Sequence, residues 1–198
     1  FRLDGEVVRD MILKASGLLS DKMGGPGVYP PQPSSVAAAA YGNTKWPIST
    51  GEDRYRRSLY TWSKRTAPFV AFTVFDAPTG EICVAKRDRS NSPLQALTLL
   101  NDAMFVEMAE AAASEAMAKH EDKEAIVTDL FRRFLTRPPN DEEQSALLSY
   151  FENQRQRFEK GELSATEWLG EDDSSPDLAA WALVARALMN LDETITKG

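Results

Sequence analysis

Apolar residues recur at helical spacing along most of the chain and lose that rhythm in its first half, and the contrast sets the expected architecture. Leu3, Val7, Met11, Ala15 and Leu18 repeat at this spacing with Arg9 and Lys14 between them, which predicts an amphipathic helix from about Asp4 to Leu19. The rhythm stops between Lys22 and Gly51. Gly24-Gly25-Pro26-Gly27 and Tyr29-Pro30-Pro31-Gln32-Pro33 combine free glycine dihedrals with fixed proline ones, so this stretch is expected to be an irregular loop. A loop of that length either covers a core or binds something. From Arg54 to Lys64 the pattern is basic and aromatic together. Next, Val70 to Phe75 and Glu81 to Lys86 are rich in β-branched and aromatic residues around Asp76-Ala77-Pro78-Thr79-Gly80, a pattern that predicts a β-hairpin or two short extended segments.

Beyond Ser92-Pro93, which supplies an N-cap and a first-turn proline, one long helix is expected to run to about Lys119 with Leu97, Leu100, Met104, Met108 and Ala111 on one stripe. Leu94, Leu99 and Val106 occupy its other faces, so its first half should be buried nearly all round. Ile126, Val127, Leu130, Phe131 and Phe134 place an apolar face on Lys123 to Leu135, which must stop before Pro138-Pro139. Asn140 and Glu143 have the spacing of a capping box at the start of a helix carrying Leu147, Tyr150, Phe151 and Phe158. Ser175-Pro176-Asp177 opens a last helix with Trp181, Val184, Leu188, Leu191 and Ile195 as a seam and Arg186, Asn190, Glu193 and Lys197 opposite. The expected fold is mainly α: a helical bundle of about five helices, in one domain spanning residues 1–198, with a long Pro/Gly-rich loop.

Composition narrows the functions. A chain of 198 residues that is 42% hydrophobic can bury a core without staples. Its formal charge of -7 argues against broad attraction to nucleic acid or anionic membranes. With one cysteine, Cys83, and no Cys-x-x-Cys, the chain can hold neither an internal disulfide nor a zinc ribbon or covalent haem. Neither a metal nor a cofactor is expected, and no apolar run reaches the length of a membrane-spanning helix. The opening Phe1-Arg2-Leu3, without an initiator methionine or a basic-then-apolar leader, suggests a trimmed or proteolytic piece of a longer product.

Several ordered motifs go beyond what local physics demands. Arg56-Arg57-Ser58-Leu59-Tyr60-Thr61-Trp62, Phe75-Asp76-Ala77-Pro78, Arg89-Ser90-Asn91-Ser92-Pro93-Leu94-Gln95-Ala96-Leu97 through Leu100-Asn101-Asp102, and Asn190-Leu191-Asp192-Glu193 together resemble the planctomycete PSD domain, a domain of unknown function. Gly24-Gly25-Pro26 and Pro30-Pro31-Gln32-Pro33 fit the same pattern. The chain departs from it in having serine beside Asn91, where threonine is usual, and at Thr194, where an aromatic residue is common. The resemblance implies the C-terminal end of a large exported protein, periplasmic or at the cell surface, in company that includes c-type cytochrome domains and suggests polysaccharide breakdown. The partners it implies are upstream domains of the same polypeptide.

Candidate chemistry concentrates in the basic aromatic segment. Arg54, Arg56, Arg57, Lys64 and Arg65 with Tyr55, Tyr60 and Trp62, joined by Arg87 and Arg89, could pair guanidinium forks with the charged groups of an anionic polysaccharide while rings stack on sugars. Equally, they could hold the long loop through carbonyls and carboxylates with their rings in the core. Asn91, Gln95 and Asn101 form a second set: amides that need partners if buried, whether in the core or around a ligand. The residues nominated for ligand binding are therefore Arg56, Arg57, Tyr60, Trp62, Arg65, Arg89, Asn91 and Gln95. A glycosidase would instead need two carboxylates flanking one sugar bond, for which Asp76, Glu81 and Asp102 are the candidates. Glu171-Asp172-Asp173-Ser174 lacks the spacing of a calcium loop, His120 reads as an exposed linker residue, and Cys83 as a small core residue. Two readings stand: a non-catalytic binding or docking module, and part of a polysaccharide-degrading enzyme whose remaining residues lie upstream.

Overall fold

The computed structural model describes residues 1–33, 46–64, 68–78, 80–169 and 175–197. Among these, the secondary structure is helical: α1 (Gly5–Ala15), two 3-10 turns (Gly51–Tyr55 and Ser58–Tyr60), α2 (Val70–Val74), α3 (Pro93–Asn101), α4 (Ala103–Lys119), α5 (Lys123–Leu135), α6 (Asp141–Glu159), α7 (Ala165–Leu169), α8 (Pro176–Met189) and α9 (Asp192–Ile195). The mainly α bundle expected from the periodicity is present. Its heart is α4 packed on α8, with α6 on the far side of α8 and α5 bridging α4 and α6. Ala109, Ala112, Ala113 and Ala116 of α4 and Ala179, Ala180, Ala182 and Ala185 of α8 are all fully buried. Small side chains let these two helices approach closely, and the density of such contacts is what holds them. Phe151 and Trp181 stack with ring centroids 3.9 Å apart, joining α6 to α8.

Several elements differ from expectation. The hairpin does not form: Val70–Val74 is a helix, and residues 81–86 are exposed and lie outside any strand. A strand would send Ala71 and Phe75 to one face and Phe72 to the other, whereas the helical turn lets Ala71 and Phe75 face α1 while Phe72 meets Phe69 edge-on at 5.0 Å. Burial thus overrides β propensity. Cys83, expected in a core, is accordingly exposed. Gly5 opens α1 so close to α2 that an added Cβ would lie 2.9 Å from the Cβ of Phe75, which explains a glycine at a helix start.

The long helix is two. At Asp102 the backbone turns extended, with φ -71 and ψ 129, and the Asp102 carboxylate accepts the Met104 N–H at 2.9 Å, so one residue ends α3 and caps α4. Because α3 leaves the axis of α4, only Gln95 and Leu99 are buried on it, while Leu94 and Leu97 are 56% and 53% exposed; the helix is not covered all round. In α1 the buried face is Val8, Ile12, Leu13 and Ala15, rotated from the predicted stripe, and Val7 is exposed. The predicted C-terminal seam ends early: α8 stops at Met189, Leu191 is exposed, and Ile195 returns to the core from α9. α1 ends at Ala15, four residues short of the expected Leu19, whereas α5 and the capping box of Asn140 and Glu143 fall where expected. Among the described residues no helix is long and apolar enough to cross a membrane.

Candidate functional site

The basic aromatic segment lies across the middle of α1, which grips it through Arg9 and Asp10. Arg9, 1% exposed, donates to the carbonyls of Arg56 at 2.8 Å and Arg54 at 3.2 Å, while the neighbouring Asp10 accepts the Ser58 N–H at 2.6 Å. Burial lowers the Arg9 guanidinium to about 10, with Asp10 at 3.8 Å opposing, so it stays charged at neutral pH. Arg56 carries the grip onward. It is fully buried, donates to the carbonyls of Pro26, Lys22 and Gly24, and lies 3.8 Å from the centre of the Tyr60 ring. The Tyr60 hydroxyl accepts the Gly24 N–H at 2.8 Å. Carbonyls at a glycine-rich turn are natural partners for a guanidinium fork, which offers five donors in one plane.

The other nominated residues divide between structure and surface. Trp62 packs with Tyr29 at 5.4 Å and Trp46 at 6.4 Å, and Trp46 stacks on Phe69. Arg54 forms a forked pair with Glu107 of α4, which Tyr55 also reaches. Arg57 is about half exposed, 3.8 Å from Asp10. Arg65 lies outside the described residues, as does the acidic run Glu171–Ser174.

Gln95 organises a second centre. It is 1% exposed; its carbonyl accepts Arg2 at 2.7 Å and its amide donates to the Val74 carbonyl at 3.0 Å and to Ser90 Oγ at 3.2 Å. Asp76, in the left-handed region with φ 59, accepts both the Ser90 N–H at 2.7 Å and its hydroxyl. Arg2 continues to Asp192 at 3.1 Å. Three separated motifs, 75–78, 89–97 and 190–193, thus meet through Gln95 and Arg2. The niche they enclose has no room for a water molecule. Arg89 lies on its rim, 3.8 Å from Asp4 and over the Phe1 ring; Asn91 is exposed, and Asn101 is on the surface, accepting from Arg186 at 3.2 Å.

Open space lies between these two centres. A cleft of about 490 Å³ is lined by Asp4, Glu6 and Asp10 of the α1 region, Arg57 and Leu59 of the segment, and Arg87. Arg87 pairs with Glu6 at 2.8 Å and Asp4 at 3.7 Å, and these carboxylates hold its guanidinium further on the charged side. None of Asp76, Glu81 and Asp102 lines this cleft. Burial raises the Asp102 carboxyl above its ordinary range, against the pull of the Met104 N–H, but Asp102 is the cap between α3 and α4. His120 is half-buried at the end of α4, 3.9 Å from Asp129. Among the described residues no cluster of histidine, cysteine or acid could hold a metal.

The sequence reading missed Arg2, Arg9 and Asp10. For Arg9 a signal existed: it sits four residues before Leu13 and three before Ile12, on the stripe that proves to be buried. For Arg2 there was none, since its partners are 93 and 190 residues away.

No curated protein and no solved structure matches the chain. A family model described as PSD1, protein of unknown function (DUF1553), matches residues 1–151. Its span takes in the 56–62, 75–78 and 89–102 motifs whose side chains make the two centres, and the chain belongs to that family.

Proposed function

We propose that this chain is a non-catalytic docking module of an exported cell-envelope protein linked to polysaccharide use, and that it binds neighbouring domains of its own polypeptide rather than an anionic glycan. The observation that carries this reading is the disposition of Arg56: the guanidinium best placed by sequence to grip an anion is fully buried on three carbonyls and a ring. The open cleft beside it carries three carboxylates against two arginines, and Arg87 is already paired, so a sulfate or carboxylate entering there would meet net repulsion. Beside their exposed polar residues, the motif segments leave large apolar side chains uncovered. Leu59, Leu94 and Leu97 are each more than half exposed, and a helix that is apolar on several faces is ordinarily covered. The export and polysaccharide context rests on likeness to the PSD domain. The enzymatic alternative would need an accessible pair of carboxylates, while Asp76 is engaged by Ser90 and Asp102 by its own helix.

The test is association of this chain with the domains that precede it in its parent polypeptide, alongside titration with neutral and sulfated polysaccharides at two salt concentrations. Replacing Leu94→Asp and Leu97→Asp should weaken domain association at least about tenfold, since two half-exposed leucines lose their burial. Arg57→Ala with Arg89→Ala should leave it unchanged. Salt-sensitive binding of a sulfated polysaccharide that disappears in the double arginine variant would overturn docking in favour of glycan recognition.

A further inference from the structure

Arg186 of α8 differs from the other buried and half-buried arginines. Arg9 and Arg56 donate to backbone carbonyls, and Arg2, Arg54, Arg133 and Arg155 pair with carboxylates. Arg186 is half-buried, 5.3 Å from the centre of the Trp168 ring of α7; its Nη2 donates to Asn101 Oδ1 at 3.2 Å, and its Nε is buried without a partner. Among the described residues no carboxylate pairs with it. Burial holds its guanidinium below the ordinary value, and no acid is among the groups that oppose the fall. A charge that has lost part of its water without an opposite charge in return is a cost to the lone chain. The Asn101 bond sets this cation at one end of an apolar stripe. Leu94, Leu97, Thr98 and Asn101 share one face of α3, away from the buried Gln95 and Leu99, and the Asn101 amide also donates to the Leu97 carbonyl at 3.0 Å. Leu94 and Leu97 are the exposed leucines of that face.

We propose that Arg186 and the outer face of α3 together receive a segment of the neighbouring domains that carries an Asp or Glu beside apolar residues: the carboxylate closes on the unused donors of Arg186 while its apolar neighbours cover Leu94 and Leu97. The inference rests on the docking reading above and adds to it the chemistry of the partner. Charge complementarity makes the choice. A wholly apolar segment would cover the leucines but bury the cation further without a partner, and a basic segment would meet repulsion. A carboxylate supplies the missing charge and the planar pair of acceptors that a guanidinium fork fits. A polyanion such as nucleic acid brings charge without apolar flanks, and the formal charge of -7 works against it. Arg186 is also prepared for the contact. Trp168 and Asn101 already hold its side chain, so little rotamer freedom is lost when a partner arrives. The leucines give adhesion without register, and the cation fixes where along α3 the segment sits.

Two measurements test it. In this chain alone, Arg186→Met keeps an apolar stem over Trp168 and removes the charge, so thermal stability should be unchanged or higher. A loss of stability that added salt shrinks would place a counter-ion within the chain and overturn the proposal. In association with the domains that precede the chain in its parent polypeptide, Arg186→Met should bind roughly tenfold more weakly. Arg186→Lys keeps the charge and should bind better than Arg186→Met. Treated with a carbodiimide, which takes up the water released, its new amine should form an amide with an Asp or Glu of the preceding domains, located by mass spectrometry of the linked peptide. Binding that falls for Leu94→Asp with Leu97→Asp but is unchanged for Arg186→Met leaves docking in place and overturns the carboxylate. Binding unaffected by either change overturns the docking reading and this inference with it.

Discussion

Arg9 and Arg56 are both fully buried, yet neither sits on a buried carboxylate; backbone carbonyls receive them instead. This choice matters, because a carboxylate partner would fix one side chain to another, whereas a carbonyl partner fixes the path of the chain. Arg9 fixes residues 54–56 against α1, and Arg56 fixes 22–26 against residues 54–60. Gly24 and Gly25 have φ 74 and 90, a left-handed conformation that favours glycine, while a Cβ at either would meet open space or ordinary contact only. Arg56→Met keeps most of the volume and removes every donor that ties the Lys22, Gly24 and Pro26 carbonyls to the segment. It should cost on the order of 2–4 kcal/mol in urea unfolding and open residues 22–27 to limited proteolysis, while Arg57→Met costs little. Equal loss in the two variants would mean that charge, not carbonyl capture, is what Arg56 supplies. From sequence, a run of arginines beside aromatic rings reads as surface chemistry. Burial decided otherwise, and burial depends on Lys22 to Pro26, a segment 30 residues upstream whose contacts have no local signature.

At the scale of elements, legibility follows how local the cause is. The capping box at Asn140 and the left-handed Thr136 before Pro138 are decided within a few residues, and α5 and α6 fall where the pattern places them. Residues 70–74 and 93–119 went differently because distant surfaces decided them. The first becomes helix because α1 comes within reach of Phe75, and the second breaks because Asp102 is a better cap than a helix interior residue. Asp102 carries a measurable consequence. Burial raises its carboxyl, so the charged cap costs stability at neutral pH and the cost is relieved as pH falls through the raised value. Asp102→Asn keeps the cap and removes the charge. It should therefore be neutral to stabilising at pH 7, by up to about 1 kcal/mol, with the advantage shrinking in acid; Asp102→Ala should lose about 1 kcal/mol for want of the cap. Urea titrations of the three proteins at pH 7 and pH 4 decide between burial and the helix dipole as the dominant effect on this residue.

For the whole molecule, the two chain ends and the α5–α6 connection are drawn together at Arg137 and Arg2. Arg2 pairs with Thr196 as an isolated antiparallel bridge and reaches Asp192, so the first residues close over α9. Arg137 takes Glu143 and Glu193 together, forked onto both, and lies 4.9 Å from the centre of the Phe131 ring. One guanidinium thus joins the start of α6 to α9, which continues the 190–193 motif that Arg2 joins to Gln95. Glu143 feels Arg137 first and the Asn140 N–H second, and its carboxyl falls from 4.5 to about 2. Glu193 is lowered as well, again chiefly by Arg137. The sign follows from linkage: an acid whose folded value lies below its unfolded one contributes stability above the unfolded value and loses it as pH falls toward the folded one. Stability should therefore decline between pH 4.5 and about 2, and Arg137→Ala should flatten that decline while lowering the melting temperature at pH 7. These groups are solvent-exposed, so added salt should shrink the difference between the two proteins. A melting temperature that falls in parallel for both proteins across that acid range would assign the acid sensitivity to other carboxylates and leave Arg137 as a packing residue over Phe131.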